Sequence, residues 1–139
     1  MRILDSSVLV AMYHESDVHH PLALELLKAI PENEPVLLND FLVNEIAGVM
    51  LRKVGLAKAK EMLAVVIENQ QFRIHHTSEE EFNAIVRAFK AQTSTLSFVD
   101  CSIIELAISE GCKVETFDKI LADELKKREA SERDARSSR

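Results

Sequence analysis

Short apolar runs alternate with longer stretches of helical periodicity along the whole chain, and this alternation limits the fold more than any other feature. "RILDS" reads as a buried strand ending at Asp5, with Ser6 or Ser7 able to cap a short helix over "VLVAMY". "HHPLALELLKAI" sets Leu22, Leu26, Leu27 and Ile30 at helical spacing, with Pro21 tolerated in the first turn. After the turn "PENEP" come a strand, "VLL", and a helix, "NDFLVNEIAGVMLRK", capped by Asn39 or Asp40. The pattern then repeats. "LAKAKEMLAVVIENQ" is amphipathic, "QFRIHHT" alternates like a strand, and "TSEEEFNAIVRAFKA" opens on a capping box of Thr77 or Ser78 with Glu80 or Glu81. "FVDCSIIELAISEG" is a helix ended by Gly111, "KVETFD" a strand, and "KILADELKK" a last helix.

Strands that alternate with helices imply a parallel sheet covered on both faces. The expected fold is therefore a three-layer α/β/α sandwich around a central, mainly parallel sheet of four or five strands. No repeat or linker divides the 139 residues. We expect one domain over residues 1–125, followed at 126–139 by a polar, frayed helix end and a disordered tail. Leu, Ile, Val and Ala supply the core, because tryptophan is absent. Cys101 and Cys112 stand in no metal-binding or redox spacing and read as reduced, buried thiols. There is no charged-then-apolar leader, and no run nears the roughly 18 apolar residues of a membrane span, so a soluble cytoplasmic protein is expected.

The net charge of −6 argues on its face against a phosphate-rich partner. It is unevenly spread. The last fourteen residues hold six Lys/Arg against three Asp/Glu, which leaves eleven basic residues against twenty acids in the first 125. In parallel sheets ligands bind outside the carboxyl ends of the strands. Asp5 and Asp118 each fall where a strand ends, Glu45 lies one to two turns into the helix after the second strand, and Asp100 sits in a first helical turn. Singly, each reads first as a helix cap or a solvated acid. Together they crowd one edge, and converging carboxylates need protons or a cation. Hard oxygen donors without His or Cys suit Mg²⁺ or Mn²⁺, and such a site suits phosphoryl chemistry. The neighbouring pairs His19/His20 and His75/His76 read as surface or satisfied histidines, distant along the chain from the acids. Asp40 reads as a cap, Glu15, Asp17 and Asp123 as solvated, and Met50 and Met62 as core filler.

Four segments in order, "LDSS", "NEIAGVM", "SFVDCSIIELA" and "VETFDKIL", together resemble the motifs of PIN-domain ribonucleases, in particular the VapC-like toxin branch of toxin–antitoxin pairs. "HHPLAL" resembles the family's second-helix opening, and the likeness covers residues 2 to about 125. It implies a divalent-metal endoribonuclease in which Asp5, Glu45, Asp100 and Asp118 form the acidic site, with Thr116 as a supporting hydroxyl. It also implies an RNA substrate, a small antitoxin whose cationic side chain enters the acidic pocket, and a homodimer. One departure stands out: the sequence stays polar after Asp118, where many members add a short strand. A dehalogenase-type phosphatase would want an acid where Ser7 stands, and a receiver domain would want a late-strand Lys where Asp118 comes first. The remaining alternative is a PIN-like module that binds RNA or protein without cutting.

Overall fold

The computed structural model describes all 139 residues. In chain order the elements are β1 (Arg2–Leu4), α1 (Ser6–Tyr13), α2 (His20–Ala29), β2 (Val36–Asn39), α3 (Asp40–Lys53), α4 (Leu56–Glu68), β3 (Phe72–His75), α5 (Glu79–Ala91), α6 (Phe98–Glu110), β4 (Lys113–Glu115) and α7 (Lys119–Ser137). The strands form one sheet in the order β3-β2-β1-β4, and every pairing is parallel. Ile3 lies opposite Leu37 on one side and Val114 on the other. The sheet thus has four strands. No strand follows Asp118, as the polar sequence there suggested, and β4 is left as an edge.

Burial explains the strands. All of β2 is buried, as are Ile3 and Leu4 of β1, so these runs read as continuous apolar sequence, as a sheet covered on both faces requires. The connections from β1 to β2 and from β2 to β3 step one way across the sheet, and the connection from β3 to β4 steps back past β1. Right-handed crossovers then put the helices of the first two on one face and those of the last on the other. Helix α6 packs on both β2 and β4 and buries Cys101, Ser102, Ile103, Ile104, Leu106 and Ala107. Its apolar character all round is that of a core helix. Met50 and Met62 are both buried in the core.

The caps are sharper than the sequence suggested. Asp5, not Ser6 or Ser7, is the N-cap of α1, and Asn39, not Asp40, caps α3 by accepting the Leu42 N–H at 2.9 Å. Ser78 and Glu81 form the capping box of α5. A second box joins Ser97 to Asp100 at the start of α6, and Gly111 ends that helix at φ 66°, the left-handed region where glycine is preferred.

Helix α7 runs through residues 126–137 of the expected polar tail, to Ser137. Leu121 of this helix is buried and Leu125 packs against the core, so it docks by its first two turns and projects beyond. The projecting part is rich in Ala, Lys, Arg and Glu, which favour helix without packing, and Arg128 pairs with Glu124 one turn back at 3.5 Å. No helix is long and apolar enough to cross a membrane.

Candidate active site

The strand order makes the gap between β1 and β4 the point where the winding reverses, and ligands of such sheets bind outside the carboxyl ends there. Asp5 follows β1 and Thr116 follows β4, and the Asp5 N–H donates to the Glu115 carbonyl at 3.0 Å. Asp5 is 3% exposed, so its carboxylate must be satisfied by protein groups. Its Oδ1 accepts from the Ser6 N–H at 2.7 Å and the Ser6 hydroxyl at 3.5 Å. Its Oδ2 accepts from the Ser7 hydroxyl at 3.0 Å and the Thr116 hydroxyl at 2.7 Å. Thr116, for which the resemblance implied a supporting role, thus bonds the Asp5 carboxylate directly.

Two hydroxyls extend this unit to the fourth strand's loop. Thr116 Oγ1 accepts the Asp118 N–H at 3.0 Å, and Ser7 Oγ accepts the Phe117 N–H at 3.0 Å. Sequence reasoning missed Ser7 as anything but a cap. The doubled serine of "LDSS" was the available signal, but its partners lie over a hundred residues away. Asp118 is exposed, and its Oδ1 accepts the Leu121 N–H at 3.0 Å as the N-cap of α7. Asp100 is half-buried, and its Oδ2 accepts the Ser97 N–H at 3.0 Å. Asp5 and Asp118 therefore do cap helices and Asp100 completes a capping box, and the positive helix ends favour their charge.

Glu45 has no such duty. It lies in the middle of α3 and is half-buried. Burial raises its pKa above the ordinary value, the nearby Ser6 side chain opposes the rise, and the charges of Asp5, Asp100 and Asp118 add to it. Asp100 behaves alike: burial raises its pKa, the Ser97 bonds oppose, and Asp5 and Asp118 raise it further. The structure thus brings all four predicted acids within electrostatic reach of one another. No Lys, Arg or His stands within ion-pair distance of any of them.

The donor chemistry fits a hard divalent cation, since every group is a carboxylate and their repulsion is uncompensated. As the side chains stand, no three of them close around a single ion, because each is drawn to a nearby hydroxyl or N–H. Mg²⁺ accommodates this, since it keeps several waters and is usually held by one or two carboxylates together with substrate phosphate. A cleft of about 230 Å³ lies away from these acids, between the β2/β3 end and α5/α6, lined by Asn39, His75, Thr77 and Ser102 among others.

That other end of the edge carries acids too. Asp40 reaches His76 Nδ1 at 2.6 Å and accepts the Thr77 N–H at 2.6 Å, so it ties α3 to the loop after β3 and is not the cap of its helix. Glu81 lies 2.6 Å from His75 Nε2. The two histidines of this pair bind different acids and form no joint ligand, as their alternation in the sequence suggested. His20 lies 2.6 Å from the Ala11 carbonyl. His19 departs from the sequence reading: far from the acids along the chain, it stacks on Phe117, next to Asp118.

The PIN domain family matches residues 2–126. No curated protein matches the sequence. Among solved structures, this chain is similar to Mycobacterium tuberculosis VapC20, described as a sarcin–ricin-loop-cleaving toxin, with a TM-score of 0.81 at 18% identity over 88% of this chain and 94% of that one. It is also similar to FitAcB from Neisseria gonorrhoeae, with a TM-score of 0.63 at 17% identity over 87% and 90% of the two chains. Rickettsia felis VapBC2, solved with a DNA fragment from its promoter, gives 0.59 at 15% identity over 84% and 87%. At these identities the likeness speaks for the fold.

Proposed function

Since this chain belongs to the PIN domain family, we propose that it is a divalent-metal-dependent endoribonuclease and the toxin of a toxin–antitoxin pair. The observation that carries the proposal is Glu45, a half-buried carboxylate with no capping role, held among three other acids with no cation beside it. A purely structural acid in that position would cost stability without return.

Asp5, Asp100, Asp118 and Glu45 are the residues that would hold the metal. Bound there, Mg²⁺ or Mn²⁺ would neutralise the edge, make a water more acidic and polarise a phosphodiester oxygen. Thr116 and Ser7 both donate to Oδ2 of Asp5, and the same hydroxyls hold the loop that carries Asp118. Glu45, half-buried among the other acids and free of any capping bond, is placed to take the proton of the attacking water. RNA phosphate is repelled by the bare edge, so binding of substrate and cation is coupled. A small antitoxin would meet the same need with a cationic side chain placed among the acids, and the protein would act as a homodimer in the cytoplasm.

A defined panel of structured RNAs, including a sarcin–ricin hairpin, tests this directly. The parent should cut with Mg²⁺ or Mn²⁺ and fail in chelator. Closed helix-capping bonds on Asp5, Asp100 and Asp118 favour a second reading, a PIN-like module that binds RNA or protein without cutting. Binding without metal-dependent cleavage anywhere in the panel would support it and defeat the first.

A further inference from the structure

The proposed chemistry leaves two rings at the rim of the acidic edge without a task. His19 and Phe117 stack with centroids 4.6 Å apart and planes inclined by 15°. They come from opposite sides of the reversal point, His19 from the entry to α2 and Phe117 from the loop after β4. Phe117 stands between Thr116 and Asp118, and its N–H is held by the Ser7 hydroxyl that also bonds Asp5. The stack is therefore tied to the carboxylate by two consecutive hydrogen bonds.

His19 is fixed from its own side as well. Its N–H donates to Asp17 Oδ1 at 2.8 Å, and its Nδ1 lies 3.7 Å from the same oxygen. The following residue, His20, anchors to the Ala11 carbonyl of α1. Phe117 covers one face of the imidazole, yet the His19 side chain remains 44% exposed. A flat ring, pinned and open on its outer side, is a stacking surface.

We propose that the His19–Phe117 ledge stacks a nucleobase of the RNA next to the phosphodiester being cut, an inference that rests on the endoribonuclease reading. The charge of the edge favours this occupant. Phosphates are repelled by Asp5, Glu45, Asp100 and Asp118, so the usual electrostatic source of affinity is weak here. A base has an uncharged π-face and binds aromatic rings without phosphate neutralisation. Unpaired nucleotides can splay their bases outward onto such a ring. His19 is on this account a positioning residue for substrate.

The test uses the full-length protein and a single-stranded RNA carrying 2-aminopurine at successive positions. Binding is followed by fluorescence in Mg²⁺ at times before cleavage sets in, and cleavage in the same buffer at later times. The parent should quench the probe at one position, and His19→Ala should weaken binding and raise KM about tenfold, with kcat little changed. His19→Phe, which keeps a flat ring without the imidazole nitrogens, should restore both. Unchanged binding and KM in His19→Ala, no quenching by the parent, or failure of His19→Phe to rescue would each overturn the ledge. Failure of the underlying reading looks different: quenching that depends on His19 while the parent cuts nothing leaves the ledge standing and removes the nuclease. A parent that cuts in Mg²⁺ while His19 changes move nothing does the reverse.

Discussion

At the carboxyl ends of β2 and β3, Asp40 holds His76 and the Thr77 N–H, and Glu81 holds His75. At the ends of β1 and β4, Asp5, Glu45, Asp100 and Asp118 face one another with no basic side chain at ion-pair distance. The proton affinities follow. Burial would raise the Asp40 pKa, but the Thr77 and His76 hydrogen bonds outweigh it and the pKa falls below the ordinary value. The His75 bond lowers that of Glu81. Glu45 and Asp100 are raised, by burial first and by their acidic neighbours after it. One sheet edge thus has a half in which ionisation joins the elements and a half in which it pushes them apart. Acids of the second kind call for a ligand; those of the first already have theirs.

The sharpest way to break this contrast is to neutralise one acid in each half. Glu45→Gln should lower RNA cleavage by about a hundredfold or more, the range expected for loss of a general base. Asp40→Asn should cut at the parent's rate. Single-turnover cleavage of one RNA by the three proteins decides. Equal losses in both variants would mean that the halves do not differ in function.

Metal response is the next largest effect. A cation that binds only the folded state stabilises it by about 2.7 kcal/mol at a hundredfold excess over Kd. Melting curves with and without Mg²⁺ should show such a rise for the parent and for Asp40→Asn, and a much smaller one for Asp100→Asn. The Asn side chain can still accept the Ser97 N–H through its oxygen, so the capping box survives while a charged ligand is lost. Without Mg²⁺, Asp100→Asn should melt slightly above the parent, as repulsion is relieved. If Mg²⁺ raises all three proteins alike, the cation is not bound at the acidic half.

Much of this was legible in the sequence, and the limit has a physical cause. The element order could be read because periodicity and capping are local: "VLL" is apolar throughout because β2 is buried throughout, and Gly111 marks the end of α6. Asp5 and Asp118 could be placed at one edge because parallel topology brings strand ends together. What could not be read was partnership across the chain. Asp40 and Asp100 both stand in the first turn of a helix, and nothing local says that His76 will reach the one and no base the other. Ser7 and His19 likewise gain their surroundings from residues about a hundred positions away. The extent of α7 escaped for the opposite reason, since an exposed helix buries nothing for periodicity to record.

A smaller effect should appear in stability at neutral pH. Asp40→Asn removes the charge that joins α3 to the loop after β3, although Asn can still accept one bond from Thr77. Both partners face solvent, and the His76 side chain is 82% exposed, so the loss should not exceed about 1 kcal/mol. Urea unfolding measures it. A loss several times larger would mean that this half carries structural weight which the hydrogen bonds do not account for.

The smallest effect is also the one that separates the halves most cleanly, because their pH dependences have opposite sign. Between the ordinary pKa of Glu45 and Asp100 (4.5 and 3.8) and their raised values, the folded protein holds protons that the unfolded chain has released. Stability therefore falls as pH rises through that window, and the contribution is fully present only below it. For Asp40 and Glu81 the unfolded chain holds more protons between their lowered values and the ordinary 3.8 and 4.5. Their contribution is present above the window and is lost as pH falls through it. In metal-free buffer, stability should accordingly pass through a maximum near the ordinary carboxylate range. Glu45→Gln should flatten the descent on the neutral side and leave the acid side as it was. Asp40→Asn should do the converse. Urea midpoints taken at close pH intervals for the three proteins measure both slopes, and the same change of slope in both variants would show that the two ends of the edge form a single electrostatic unit.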